Sequence, residues 1–145
     1  MEDLVKLESL SKNYGNKKLF TNLNFHFKSQ AIHCFLGPSG CGKTTLLKIL
    51  MGLESPTQGR VIFSQKLTQG VVFQSAQLLP WRNVKENILL PIELQKLPTP
   101  SLADLLKTLH LENTETLFPV QLSGGMQMRV SLARALINEP HILFL

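Results

Sequence analysis

At 145 residues, 43% hydrophobic and 17% charged, the chain has ordinary globular composition and enough length for one buried core. Its net charge of +5 comes from scattered lysines, the longest basic run being Lys17-Lys18, which fits a solvated basic surface and equally a phosphate site or a membrane-facing partner; charge alone selects none, and no specific nucleic acid is expected. No apolar run approaches the roughly eighteen residues of a spanning helix, MEDLVKLESL carries two early acids and no apolar core of signal-peptide length, and two cysteines, Cys34 and Cys41, suit a reducing compartment without a structural disulfide; a cytosolic protein is expected.

From Leu4 to Leu10 apolar and polar residues partly alternate, a turn follows at Tyr14-Gly15-Asn16, and Phe25 and Phe27 alternate with His26. These features predict a small antiparallel sheet at the start of the chain. Tyr14, the only tyrosine, stands beside the turn, where its ring is open to two readings: stacking on a base or simple packing.

An apolar run, Ala31 to Leu36, predicts a buried strand that stops at Gly37. Gly37-Pro38-Ser39-Gly40-Cys41-Gly42-Lys43-Thr44 then fits GxxxxGK[ST], and Leu46, Leu47, Ile49 and Leu50 form a helical stripe that ends at Gly52. Strand, glycine-rich loop and helix is the context in which this pattern binds phosphate. Glycines let consecutive N–H groups turn inward around a polyphosphate, Lys43 adds a point charge, Thr44 offers a hydroxyl to Mg²⁺, and the helix N-terminus faces the same anion. Cys41, beside that helix terminus and Lys43, is expected to be the reactive thiol, and Cys34 in the strand the inert one.

Ser55-Pro-Thr-Gln-Gly59 reads as a turn, Arg60 to Ser64 and Gly70 to Phe73 as short strands, with Gln74 where the second leaves the core. A helix is expected from near Asn83, broken at Pro91, and another capped by Ser101 with Leu102, Leu105, Leu106 and Leu109 at helical intervals. His110 reads as a surface residue, no second metal-type ligand standing at a useful spacing. Leu122-Ser123-Gly124-Gly125-Met126 launches a helix ended by Pro140, with Val130, Ala133 and Ile137 along one face. Its N-terminus suits an anion, or is simply capped by Ser123. HILFL, 141–145, is a final apolar strand.

Taken together, these segments resemble the nucleotide-binding subunit of ATP-binding cassette (ABC) transporters over essentially the whole chain. GPSGCGKTT is common to many phosphate-loop proteins; its pairing with QLSGGMQMRVSLARAL points to this family rather than to kinases or GTPases. The resemblance implies an α/β phosphate-loop NTPase core with a mostly parallel sheet, an N-terminal antiparallel β region (1–30), a Walker A to Q-loop core (31–74), a helical insertion with the signature helix (75–139) and a Walker B strand (140–145). It implies ATP and Mg²⁺ as cofactors. Tyr14 matches the adenine-stacking aromatic residue; Gly37, Pro38, Ser39, Gly40, Cys41, Gly42, Lys43, Thr44 and Thr45 match Walker A. Gln74 matches the Q-loop glutamine that contacts Mg²⁺ and the attacking water. Ser123, Gly124 and Gly125 match the signature, which in the family meets the γ-phosphate held by the opposite subunit. The implied catalytic set is Lys43, Gln74 and Ser123, with Thr44 and Gln74 at the metal.

The implied partners are a second copy of the same or a similar subunit and integral membrane permease subunits with a solute-binding protein, which places the chain peripherally on the cytoplasmic face of the membrane. VVFQSAQLLPWRNVKENILLPIEL, with FPVQLSGGMQMRVSLARAL, looks most like importers of the nitrate, sulfonate and taurine type; there Leu78, Leu79 and Trp81 would receive a helix of the permease, or else pack the insertion. Ser29-Gln30 stands where the family usually has Gly-Glu. The family's Mg²⁺-binding aspartate and catalytic glutamate directly follow the strand matched by HILFL, and a later aspartate-containing loop and switch histidine follow them. None of His26, His33, His110 or His141 matches that histidine, so residues 1–145 alone are expected to lack the C-terminal part of the core and to hydrolyse no ATP. The rival expectations are a truncated, non-hydrolysing nucleotide-binding fragment, a cassette ATPase acting on nucleic acid or ribosomes, and a small-molecule kinase.

Overall fold

The computed structural model describes residues 2–145, which form two compact units, one ending at Lys66 and the other running from Leu67 to Leu145. In the first unit, strands β1 (Asp3–Tyr14) and β2 (Lys17–Lys28) pair antiparallel across the expected glycine turn. Strand β3 (Gln58–Phe63) adds antiparallel to the other edge of β1, giving the order β2-β1-β3. Strict alternation would bury Val5, Leu7, Ser9 and Ser11, but the buried set is Val5, Leu7, Leu10 and Ser11. The step is taken by Ser9, in a left-handed conformation (φ 48°), where the register of both ladders shifts. The Asn24 side chain accepts the Ser9 N–H at 2.8 Å, and buried Ser11 accepts the Asn22 N–H at 2.9 Å, so the bulge is hydrogen-bonded on both sides.

Helix α1 (Lys43–Leu50) buries Leu46, Ile49 and Leu50, as its stripe predicts. Ala31–Leu36 is different: it forms no strand, Ile32 is 100% and Leu36 88% exposed, and Cys34 is exposed. An apolar run becomes a buried strand only when neighbouring strands satisfy its N–H and C=O groups, and 31–36 has no ladder partner among the described residues. Its contacts are aromatic instead. Phe27 meets the His33 and Phe35 rings edge-on, with centroids 5.1 and 6.0 Å away.

In the second unit, β4 (Gln69–Val71) pairs parallel with β5 (Ile142–Phe144), in the register Gln69↔Ile142 to Val71↔Phe144. The Thr68 hydroxyl lies 2.6 Å from His141 Nδ1 and the His141 N–H donates to the Thr68 carbonyl at 2.9 Å, fastening the entry to both strands. Gly70 is buried because helix α4 (Gly124–Leu136) runs against β4: a Cβ there would sit 2.6 Å from the Ala135 carbonyl oxygen. The core joins α4 to helices α2 (Val84–Gln95) and α3 (Ala103–Thr108) through Val84, Ile88, Ile92, Leu106, Leu111 and Val130.

Helix α2 opens with a capping box: Asn83 Oδ1 accepts the Glu86 N–H and the Glu86 carboxylate accepts the Asn83 N–H, both at 2.9 Å. It does not break at Pro91 but continues to Gln95. A mid-helix proline costs about 3 kcal/mol, whereas each large side chain buried on the α2 face contributes about 1.5–3 kcal/mol. With Val84, Ile88, Leu89 and Ile92 all in the core, packing outweighs the break. The N-cap of α3 is Leu102 rather than the expected Ser101, which stands one residue ahead with its hydroxyl accepting the Ala103 N–H at 3.4 Å.

Asn87 is fully buried on α2 and acts as a polar rivet for the preceding turn. Its Oδ1 accepts the Leu79 N–H at 2.8 Å, and its Nδ2 donates to the carbonyls of Leu79, Arg82 and Asn83 at 3.1, 2.8 and 3.0 Å. Asn87→Leu keeps the volume but orphans these backbone groups, so a loss of about 2–4 kcal/mol is expected in urea denaturation. A change below about 1 kcal/mol would show that the turn does not depend on this amide.

Candidate functional site

The glycine-rich loop belongs to the first unit. Gly42 is the N-cap of α1 at φ 102°, and a Cβ at this position would lie 2.8 Å from Leu19 Cγ, so both backbone and space require glycine. The Gly42 carbonyl accepts the Leu46 N–H at 2.8 Å, which starts the helix there. The first-turn N–H groups of an α-helix lack intrahelical acceptors, and no acid stands in the first turn of α1. Ser39, Gly40, Gly42, Lys43, Thr44 and Thr45, with Leu19, line one open groove at this helix end.

Lys43 folds back on the loop. Its ammonium donates to the carbonyls of Gly37 at 2.7 Å and Pro38 at 2.9 Å, with Cys41 Sγ at 3.7 Å, and it enters no ion pair among the described residues. Neutral carbonyl dipoles hold a cation more weakly than phosphate oxygens do, so an incoming polyphosphate has a charge to capture. The groove therefore fits a nucleotide polyphosphate. For a divalent ion it offers the exposed Thr44 hydroxyl. The described residues contain no cluster of three His, Cys, Asp or Glu side chains.

Cys34 and Cys41 are both exposed and line a second, apolar groove beside the loop, together with Phe20, Leu23, Phe35 and Leu36. The expectation that Cys34 is shielded in a strand is thereby corrected. Tyr14 is 50% exposed and lines neither groove. Its hydroxyl donates to Glu54, while Lys12 lies 4.9 Å from the ring centroid and pairs with Glu54 at 2.8 Å. The Lys12 hydrogen bond, with a smaller contribution from Tyr14, holds the Glu54 carboxyl below its ordinary range. One face of the ring thus carries a cation.

In the second unit, Gln74 is exposed just beyond β4. Ser123 is the N-cap of α4, accepting the Met126 N–H at 3.3 Å, and Gly124 and Gly125 are exposed, with open space where a Cβ would stand. Capping is thus a role Ser123 fills by itself. Ahead of it, Gln121 accepts the Phe118 N–H at 2.8 Å, and Gln127 donates to the Pro119 carbonyl at 2.9 Å, fixing the approach to the helix. Leu78 packs on the core, whereas Trp81 is 71% exposed, so the apolar surface assigned to Leu78, Leu79 and Trp81 reduces chiefly to the tryptophan.

Sequence reasoning missed Arg134, near the end of α4. It donates to the carbonyls of Ala76 at 3.0 Å and Gln77 at 2.9 Å, fastening the segment after Gln74 to α4. Burial lowers its pKa from the ordinary arginine value. No local pattern signals this, because its acceptors are backbone atoms 57 and 58 residues away.

The ABC transporter family model matches residues 20–145. The whole chain is 40% identical to the uncharacterized ABC transporter ATP-binding protein MJ0412 of Methanocaldococcus jannaschii and spans 60% of that protein. It is 36% identical, over 98% of its length, to the spermidine/putrescine import ATP-binding protein PotA of Haemophilus ducreyi, and spans 42% of it. Among solved structures, the dimeric post-hydrolysis state of the ATP-binding cassette MJ0796 bound to ADP and Pi superposes with a TM-score of 0.82 at 32% identity, covering 97% of this chain and 72% of that one. CbiO1 from Clostridium perfringens, part of the ABC transporter complex cbiONQ, gives 0.82 at 26% identity, covering 98% and 64%. The fold is that of an ATP-binding cassette, an α/β phosphate-loop architecture, and the chain belongs to the ABC transporter family.

Proposed function

We propose that this chain is the core of an ATP-binding subunit that powers solute transport across a membrane, using ATP binding and hydrolysis within a dimer. The observation that carries the reading is an ammonium, Lys43, held by neutral loop groups, the Gly37 and Pro38 carbonyls with Cys41 Sγ, at the N-terminus of α1. In this reading Gly37–Thr45 cradle the phosphates, Lys43 exchanges its carbonyl partners for β and γ oxygens, and Thr44 and Gln74 reach the metal. Mg²⁺, when bound, neutralises phosphate charge. Ser123 with Gly124 and Gly125 presents the positive end of α4 to the γ-phosphate held by a second subunit. Tyr14 stacks adenine on the ring face opposite Lys12.

Support for the dimer comes from the dimeric MJ0796 cassette, and support for membrane partners from the transporter complex that contains cbiO1. Among the described residues no helix is long and apolar enough to cross a membrane, so attachment to the cytoplasmic face would run through permease subunits. The exposed Trp81 is the candidate contact. Membership of the nitrate, sulfonate and taurine group rests on VVFQSAQLLPWRNVKENILLPIEL with FPVQLSGGMQMRVSLARAL, LLPW being the more particular element, while the similar relatives include a spermidine/putrescine import subunit. No specific nucleic acid enters this reading.

Lys43→Ala in the full-length subunit should lower ATP turnover about a hundredfold or more with unchanged far-UV circular dichroism. Unchanged turnover would remove the loop assignment. Maleimide should label Cys34 and Cys41 alike in the nucleotide-free protein, and MgATP should protect Cys41 while Cys34 stays reactive. Labelling of Cys41 that ignored nucleotide would place the phosphates elsewhere.

A further inference from the structure

The guanidinium of Arg134 forks onto two successive carbonyls, Nη2 to Ala76 at 3.0 Å and Nη1 to Gln77 at 2.9 Å. It forms no ion pair among the described residues, so these dipoles are the partners it has. Gln77 is held in a left-handed conformation (φ 47°), a state that a residue with a Cβ adopts at a cost. Ala76 is buried, and Asn87 fixes the turn from Leu79 to Asn83. Gln74 therefore lies between the β4 ladder, which extends to the Val72 N–H on the Phe144 carbonyl at 2.9 Å, and a segment clamped twice, first by α4 and then by α2.

Helix α4 carries the Ser123–Gly125 terminus at one end and Arg134 near the other, about 16 Å apart at 1.5 Å per residue. A hydrogen-bonded helix transmits displacement along its axis. A cation in its last turn is also favourably placed against the helix dipole.

We infer that Arg134 is the positioning residue for Gln74, tying the segment that carries it to the C-terminal end of the helix whose N-terminus bears Ser123, Gly124 and Gly125. The inference rests on the proposed ATP-binding function, in which Gln74 meets Mg²⁺. Arg134 touches neither nucleotide nor metal; it acts through the backbone at Ala76 and Gln77.

The test is binding of a non-hydrolysable ATP analogue to the full-length subunit, with Mg²⁺ and with EDTA, for wild type, Arg134→Lys, Arg134→Met, Gln74→Ala and the Gln74→Ala/Arg134→Lys pair. Lysine keeps the charge but lacks the planar fork that sets one N–H on each carbonyl, and loss of one charge-assisted hydrogen bond corresponds to about a tenfold effect. The gain in affinity on adding Mg²⁺ should fall about tenfold in Arg134→Lys and at least as far in Gln74→Ala. The double variant should be no worse than Gln74→Ala, and affinity in EDTA should be unchanged in Arg134→Lys and Arg134→Met. Thermal midpoints should remain within a few degrees of wild type.

Full Mg²⁺ enhancement in both arginine variants would overturn the inference, as would additive losses in the double variant or an inert Gln74→Ala. Unfolding of both arginine variants would also overturn it, since the side chain would then be scaffold alone. Failure of the wild type to bind the analogue, or binding indifferent to Lys43→Ala, is a separate outcome that overturns the proposed function itself.

Discussion

In an open groove at the start of α1, the Lys43 ammonium rests on the carbonyls of its own loop. That constraint organises the first unit. The loop must double back far enough to bring Gly37 and Pro38 under Nζ, and Gly42 must take φ 102° while Leu19 closes over it. Helix α1 must begin where the lysine stands, and its buried face of Leu46, Ile49 and Leu50 anchors that start. Formal negative charge is what this arrangement lacks, and a polyphosphate supplies it.

The second unit is built around a different economy, in which buried polar side chains hold backbone rather than one another. Asn87 and Arg134 together satisfy five carbonyl acceptors and one N–H over residues 76–83, a stretch with no regular secondary structure of its own. Irregular backbone packed against a core keeps one conformation only when such groups are paired. Both side chains come from helices of the same core, so the segment after Gln74 inherits the rigidity of that core.

The parts of this architecture legible in the sequence are those with local causes. GPSGCGKT, the helix start near Asn83 and the Ser123 cap each depend on residues within a few positions, and the stripe of α1 is visible as spacing. The parts that were not legible have distant causes. Ala31–Leu36 has strand composition, but a strand is a relation to neighbours, and this stretch has aromatic contacts in place of a ladder. Pro91 looks like a helix stop until the buried face around it is counted. Leu78 and Trp81 look alike as apolar residues, yet one packs on the core and the other faces outward. Arg134 reads as an ordinary cation near a helix end; only the tertiary turn shows two carbonyls beneath it.

The central claim is that the carbonyl-held Lys43 marks the phosphate cradle, and a crystal structure of the full-length subunit with MgATP or a non-hydrolysable analogue tests it most directly. The account predicts that Nζ leaves Gly37 and Pro38 and lies within hydrogen-bond distance of β- and γ-phosphate oxygens, with the loop N–H groups turned toward the same anion. Nucleotide bound elsewhere, or bound here with Nζ still on the two carbonyls, would contradict it.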